Sequence, residues 1–393
     1  MRFALLENKT PARAKVSVFI RGWIMKIIIQ LLSLSWLLLA LPSQVGGASL
    51  FNIKTVAQDL GTPWGMAFLS ADNLLVTEQE GYLLRLDLKT GQVSNIDGLP
   101  WDILVLGQGG LLDVAINKSS DWIYFSYSKN VDGQGATTLS RAKLRDNTLT
   151  DWQDLLVSKS RTRTNHHFAG RLAFDQQGHI FMSIGDRGVR SNAQDLSNHA
   201  GTIIRLNLDG SVPKDNPFIN DDAALAEIWT YGHRNPQGLF FNAKTQQFWS
   251  NEHGPRGGDE VNLIKPGHNY GWPVISYGKE YNSLSAVGEG THKAGMEQPI
   301  KVYTPSIAPS SLIQYQGKVF PQWQGQLLSG ALKLQHLNKV TLNKEQQSVK
   351  EERLLSNLGE RIRNVVQGPD GLIYLSTDTG KILMLSPNNE LPE

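Results

Sequence analysis

Residues 179–186 read HIFMSIGD, a short apolar run that stops at a charged group. It is too short for a helical layer and reads as a buried β-strand. The phrase recurs as NLLVTEQEG (73–81), DWIYFSYS (121–128), QFWSNEHG (247–254), QLLSGAL (326–332) and LIYLSTDTG (372–380). Several copies follow a matching strand and turn: GMAFLSADN (65–73), GRLAFDQQG (170–178), GLFFNAKTQ (238–246) and NVVQGPDG (364–371). Six units over about 340 residues give roughly 55 residues each, near the size of four-stranded propeller blades with insertions.

Helical periodicity is scarce, and candidates such as residues 222–227 are too short to cover a sheet. A doubly wound α/β fold is therefore excluded. The expected fold is all-β: a six-bladed β-propeller of four-stranded antiparallel blades, forming one domain over residues 49–393. SLFNIKTV (49–56) is expected to pair with KILMLS (381–386) and close the ring. A seventh blade would need a unit hidden in residues 255–325. In such a ring the ends of the second runs meet on one face around the channel. That face then gathers Glu78 and Glu80, Asp186 and Arg187, residues 252–255, Lys333 and Asp378.

The formal net charge of +2 is dominated by the N-terminus. Residues 1–48 hold six basic residues and one acid, and without them the balance is 32 basic to 35 acidic, a net of −3. Nothing in that balance calls for nucleic acid or an anionic membrane. After Met25-Lys26 comes IIIQLLSLSWLLLAL, an apolar run of about 15 residues and, as a helix, roughly 22 Å long, against a hydrocarbon core of ~30 Å. Pro42 ends it, and Gly46-Gly47-Ala48 supplies small residues for cleavage after Ala48. Residues 1–48 are read as an extension plus secretory signal peptide, with Met25 as the start; the alternative is an uncleaved anchor. The absence of cysteine excludes disulfides, thiol chemistry and a lipid-modified cysteine. The expected address is the bacterial periplasm, with no membrane span in the mature chain, which is expected to be a monomer.

Four stretches carry possible chemistry. NEHGPRGGDEVN (251–262) combines a Gly254-Pro255 turn, able to aim successive carbonyls one way, with Asp259 and Glu260. KPGHNYGWP (265–273) follows, with Tyr270 in a tight turn. Calcium takes six to eight oxygens and accepts carbonyls, but this is no EF-hand, and a tightly turned loop with a surface acidic pair reads equally well. Arg234 and Asn235 in YGHRNPQG, Lys333 in GALK, and Arg361 and Arg363 in ERIRN would form a cationic pocket if they converge. Arginine forks suit phosphate or a polycarboxylate, although no GxxxxGK[ST] loop is present; four solvated charges are the plain alternative. TNHHFAGRLAFD (164–175) offers His166 and His167. On an extended chain they point to opposite faces, so one of them could reach the channel as a base; a histidine packed on a tryptophan or bonded to a backbone carbonyl reads equally well. Gln108, among the glycines of GQGGLLD, is either a substrate-facing amide or part of a turn.

Together these segments resemble the soluble quinoprotein glucose/sorbosone dehydrogenase family, especially its aldose sugar dehydrogenase branch. The shared phrases run in the expected order over about residues 60–386. They include GQGGLLDV, NHHFAGRLAFD, AQDLSNHAGTIIRLNLDG, EIWTYGHRNPQG, NEHGPRGGDEVN, NYGWP, FPQWQGQLLSGALK and ERIRNVVQGPDGLIY. The resemblance implies a propeller enzyme that binds pyrroloquinoline quinone (PQQ) and calcium (Ca2+) and oxidises an aldose, passing electrons to an unidentified acceptor. It implies that His167 is the base, Arg234 lies beside the reactive quinone carbonyl, and Asn235 and Gln108 contact cofactor or substrate. Lys333, Arg361 and Arg363 would pair with the PQQ carboxylates. Carbonyls of Gly254 and Pro255 would hold the calcium at the cofactor, and Glu260 with the Tyr270 carbonyl a second one. His166 stands where relatives carry Asp or Asn, so the resemblance leaves the preferred sugar open. The alternatives are a calcium-dependent lactonase or esterase on a propeller, and a non-catalytic carbohydrate- or protein-binding propeller.

Overall fold

The computed structural model describes residues 51–388; the segment read as a signal peptide lies outside them. The first strand, β1 (Phe51–Ala57), is set aside for the last blade. Blade one is β2 (Pro63–Phe68), β3 (Asn73–Glu78), β4 (Tyr82–Asp87) and β5 (Val93–Ile96). Blade two is β6 (Leu111–Ile116), β7 (Trp122–Val131), β8 (Gln134–Arg145) and β9 (Thr148–Val157). Blade three is β10 (Ala169–Phe174), β11 (His179–Ile184), β12 (Thr202–Asn207) and β13 (Ile228–Tyr231). Blade four is β14 (Pro236–Asn242), β15 (Gln247–Glu252), β16 (Asp259–Ile264) and β17 (Lys301–Tyr303). Blade five is β18 (Pro309–Gln314), β19 (Leu327–Ala331), β20 (His336–Leu342) and β21 (Ser348–Leu354). Blade six is β22 (Ile362–Gln367), β23 (Ile373–Thr377) and β24 (Ile382–Pro387), and β1 completes it.

The structure thus has six four-stranded antiparallel blades, and each recurring phrase of the sequence is the second strand of one. Residues 255–325 hold no seventh blade; residues 265–300 form turns joined by isolated bridges. Residues 222–227 form turns, and the described helices are three short 3-10 segments. Ring closure is as expected: β1 pairs antiparallel with β24, Asn52 opposite Ser386 and Thr55 opposite Leu383.

The core lies between neighbouring blades. Leu75, Leu111 and Phe125 pack between blades one and two, and Trp249, Leu312 and Leu327 between blades four and five. A second set of contacts crosses every junction. The Thr77 hydroxyl donates to the Leu112 carbonyl at 2.6 Å, Ser183 to Pro236 at 3.0 Å and Ser376 to Pro63 at 2.8 Å, while Ser126 donates to Gly170. In each case a second strand reaches the innermost strand of the next blade. Two junctions vary the device: Ser310 Oγ donates to Ile362 O at 2.9 Å, and His253 Nε2 bonds Pro309 O at 2.8 Å. These bonds satisfy carbonyls exposed by bulges at the start of the inner strands, such as Pro236/Gly238 and Pro63/Gly65.

Removing such a hydroxyl leaves a buried carbonyl without its donor, at about 1–3 kcal/mol. Ser183→Ala and Ser376→Ala, at different junctions, should each lower stability by that amount and add in the double variant. Denaturant midpoints of the three chains check both the size and the additivity.

Candidate active site

Loops entering inner strands and leaving second strands meet on one face. His167 precedes β10, Asp186 follows β11, Asn235 precedes β14, His253 follows β15, Arg363 opens β22 and Asp378 follows β23. Among these ends lies a cavity of about 320 Å³ whose walls include Gln108, Asn235, His253, Arg361, Arg363 and Trp64, with no carboxylate among its lining residues. His167, Asp186 and Asp378 stand behind that wall, tied to it through Gln108 and the two arginines.

His167 is held from two sides. Its backbone N–H donates to Gln108 Oε1 at 2.8 Å, and its Nδ1 meets Asp186 Oδ1 at 2.6 Å. Asp186 also accepts from Gly188 N at 2.7 Å and from Trp272 Nε1 at 2.8 Å. Burial pushes the Asp186 carboxyl up, but the His167 hydrogen bond and its other donors outweigh this and hold it below its ordinary value. An ionised Asp186 can only accept, so His167 Nδ1 carries the hydrogen and Nε2 keeps its lone pair. Burial, helped by the charge of Arg234, outweighs the pull of Asp186 and lowers the His167 pKa, leaving a neutral base near pH 7.

The chain at this point is not extended. His167 has φ +57°, and the His166 and His167 rings meet edge to face with centroids 4.6 Å apart. The expectation that they point to opposite faces fails because a left-handed residue breaks the strand alternation it assumed. Arg187 fixes this turn: its guanidinium donates to the Thr164 carbonyl at 2.9 Å and to the His166 carbonyl, and stacks 3.4 Å from the Phe168 ring centroid. Gly185 is required here, since any Cβ would collide with the His167 carbonyl.

The cations divide into two groups. Arg361 Nε and Arg363 Nε each meet Asp378 at 2.7 Å, and Arg363 Nη2 adds a contact at 2.8 Å. The two arginines therefore do share a face, and one carboxylate answers two guanidiniums. Burial lowers the Arg363 pKa, opposed by Asp378; Arg363 also lies 4.1 Å from the centroid of Trp64. Arg234 is elsewhere. Its Nη1 donates to the carbonyls of His253 (3.1 Å) and Gly254 (2.8 Å), with the guanidinium 5.3 Å from the Trp272 ring centroid. Lys333 is exposed in the turn after β19, outside the cavity lining, and its neighbour Leu332 takes the wall position.

A second, ion-sized cavity of about 10 Å³ adjoins the first, sharing His253. Gly254, Glu252, Glu260, Tyr270 and Arg234 are among its walls. Glu252 and Glu260 face each other across β15 and β16. Burial and the charge of Glu252 push Glu260 up to about 8. Asp259 is used differently: its two oxygens accept from Gly254 N (2.9 Å) and Ala308 N (2.8 Å), so it braces the loop. Pro255 O accepts from Ser306 Oγ at 3.3 Å and lies outside this wall. The structure thus gathers Gly254, Glu260 and Tyr270, and sets Pro255 apart from them. Among the described residues no three His, Asp or Glu side chains group as a metal site.

The sequence reading did not connect Asp186, Trp272 and Asp378 with the residues they hold. Asp186 and Asp378 occupy equivalent ends of the repeated phrase, which was the available signal; Trp272 carried none, since its contact spans 86 positions.

An oriented neutral histidine close to a cavity walled by two arginines is an arrangement able to do acid–base chemistry on an anionic or polar ligand. The chain belongs to the glucose/sorbosone dehydrogenase family, whose sequence model matches residues 60–384, and is an oxidoreductase. It is 38% identical over 372 residues to the aldose sugar dehydrogenase YliI of Escherichia coli K12, covering 92% of this chain and 98% of that one. The crystal structure of the soluble aldose sugar dehydrogenase of E. coli in its apo form matches with a TM-score of 0.82 and 38% identity, covering 86% of this chain and 100% of that one. The PQQ-bound aldose sugar dehydrogenase of Streptomyces coelicolor matches with a TM-score of 0.71 and 25% identity, covering 86% and 98%.

Because Asp378 is the carboxylate partner of the buried Arg363, Asp378→Ala should destabilise the protein by about 3–5 kcal/mol. Denaturant unfolding checks this; a change below about 1 kcal/mol would mean that solvent already screens the pair.

Proposed function

We propose that this protein is a periplasmic aldose sugar dehydrogenase that uses PQQ and calcium to oxidise the anomeric hydroxyl of an aldose to the lactone. The observation that carries the reading is the His167–Asp186–Trp272 chain, bonded through Gln108 to the wall of a cavity that Arg361 and Arg363 also line. The named relatives supply the cofactor and substrate class. The periplasmic address rests on the N-terminal sequence, and the electron acceptor is an unidentified carrier.

The residues suit the cofactor. Asn235 Nδ2 is buried and has no hydrogen-bond partner among the described residues, while its Oδ1 is engaged by Gln237 at 3.1 Å. An unused donor and two guanidiniums in one wall favour a ligand rich in carboxylate and carbonyl oxygens. Gln108, Asn235, Arg361 and Arg363 would hold it, with Lys333 at the rim. The ion-sized cavity also suits its group: Glu252 and Glu260 stand together in its wall with Gly254 and Tyr270, and calcium accepts carboxylates and carbonyls alike. The Pro255 carbonyl, outside that wall, would reach such an ion only from the adjoining turn. When bound, PQQ supplies a two-electron acceptor for hydride and calcium polarises it.

What the chain itself contributes is proton control and position. His167 Nε2 takes the proton of the anomeric hydroxyl as the carbon-bound hydrogen leaves as hydride. Asp186 stabilises the imidazolium that forms, and Trp272 and Gly188 keep that carboxylate charged and aimed. Gln108 fixes the backbone of His167, so the base does not wander from its proton. The lactonase alternative needs calcium held by Glu, Asn and Asp side chains at the channel, and it gives Arg361 and Arg363 no role in the cavity they line.

Purified chain starting at residue 49, supplied with PQQ and calcium, should reduce a dye when given an aldose, and His167→Ala should reduce that rate by about 10²–10⁴-fold. A protein that neither binds PQQ nor turns over with it would sink the reading, and lactone hydrolysis would be assayed next. The acid limb of the rate profile should fall at a pH below the ordinary histidine value of 6.5, because protonation removes the base. Asp186 raises that pKa, so in Asp186→Asn the limb should move to still lower pH while the plateau drops. A limb moving upward would contradict the assignment.

A further inference from the structure

His167 hangs by its backbone on Gln108 Oε1, so the place of the base depends on what holds Gln108. Residues 107–110, at the entry to β6, read Gly-Gln-Gly-Gly. Glycines have more backbone freedom to lose than any other residue, and Gly107 and Gln108 are exposed, so burial does not fix them. The glycines are nevertheless required. Gly107 has φ +62°, and a Cβ there would strike the Asn165 carbonyl; Gly110 has φ +151°, and a Cβ there would strike the Gln79 carbonyl.

Hydrogen bonds hold this stretch instead. Its N–H groups are spread over three partners: Gln108 N donates to Asn165 O at 2.8 Å, Gly109 N to Leu106 O at 3.0 Å and Gly110 N to Ser128 Oγ at 2.7 Å. Its carbonyls converge on one side chain. Gln79 Nε2 donates to Gly107 O at 2.7 Å and to Gly109 O at 3.1 Å, the carbonyls of the residues on either side of Gln108. Only an amide nitrogen, with two hydrogens, can answer two carbonyls in this way. Gln79 is itself placed by its backbone, which donates to Thr62 O at 3.0 Å and accepts from Leu111 N at 3.2 Å. It follows β3 of blade one and lines the larger cavity together with Gly107 and Gln108.

We propose that Gln79 is a positioning residue for the proton transfer: it clamps the glycine stretch so that Gln108 stays on the His167 backbone, and thereby sets where the base stands. The proposal rests on the aldose reading above, which makes His167 the base. The path starts in blade one at Gln79, crosses the entry to blade two at Gln108 and ends at the entry to blade three at His167. Asp186 orients the imidazole, whereas this path places the backbone that carries it. Placement matters because a shift of about 1 Å can cost about 10²-fold in rate. Gln79 acts through Gln108 and takes no part in the chemistry itself.

The test uses three variants of the mature chain. Gln79→Met keeps the length and removes both donors, Gln79→Glu keeps the shape and offers only acceptors, and Gln108→Ala removes the next link. Before cofactor is added, amide hydrogen exchange at His167 should run about tenfold faster in both Gln79 variants, with the β11 amides unchanged. With PQQ and calcium saturating, kcat for glucose with a dye should fall about tenfold while KM stays within about twofold. Gln108→Ala should lose at least as much, and adding Gln79→Met to it should cost nothing further, since both act on one bond. Unchanged exchange at His167, equal acceleration in β11, or a second full loss in the double variant would overturn the proposal. A loss confined to KM would overturn it too, by making Gln79 a substrate contact. Faster exchange at His167 alone, in a chain that oxidises no sugar, would sink the dehydrogenase reading and leave the clamp in place.

Discussion

The ring holds because each blade donates a side-chain hydrogen bond to a carbonyl of the next. Hydrophobic packing between blades is non-directional and would tolerate sliding. A hydroxyl aimed at one carbonyl does not, so Thr77, Ser126, Ser183, Ser310 and Ser376 fix how far each blade is rotated about the channel. At the fourth junction the donor is an imidazole, His253, whose ring also lines both cavities. The element that sets blade geometry is therefore also a wall of the site. Closure by β1 on β24 completes the circle and puts Arg363 and Asp378, late in the chain, beside Trp64 near its start.

Charge in the site is arranged by sharing. Asp378 serves two arginines, and Asp186 serves a histidine, an indole and a backbone amide. Glu252 accepts from His233, from the Arg234 backbone and from Asn262. The larger cavity has two guanidiniums and no carboxylate in its wall, while the smaller one sets the carboxyl groups of Glu252 and Glu260 beside Arg234. A cavity walled by guanidiniums beside one walled by carboxyl groups suits an anionic ligand and a cation bound side by side, each reducing the other's desolvation cost.

Much of this was legible in the sequence, for a physical reason. A propeller repeats one supersecondary unit, so strand periodicity and turn residues recur and the six second strands align by eye. The convergence of their ends then follows from geometry, which is why Asp186, Lys333 and Asp378 could be expected on one face, whereas His167, Arg234, Asn235, Arg361 and Arg363 were drawn together by their likeness to the family. The recurrent Thr or Ser within those strands, from Thr77 to Ser376, was also visible, but its role depends on a partner in the next blade. The left-handed turn at His167 and the placement of Trp272 depend on contacts made only after folding. Lys333 shows the opposite limit: its position past a strand end was plain, but its exposure and its place outside the cavity lining depend on how the turn folds.

The electrostatics of the two nearby histidines tie these features together. His253 is driven down to about 3 by burial, with Arg234 adding to the effect, and its bond to Pro309 fixes its tautomer. It stays neutral across the physiological range and keeps a constant wall. His167 is lowered by the same two influences, but Asp186 pulls it back, so it remains within reach of protonation during a reaction. An environment chosen to attract a polyanion would, without Asp186, make any histidine in it too weak a base. The carboxylate behind His167 therefore does more than orient the ring: it restores basicity that the cationic surroundings remove, and so allows anion binding and proton abstraction to share one site.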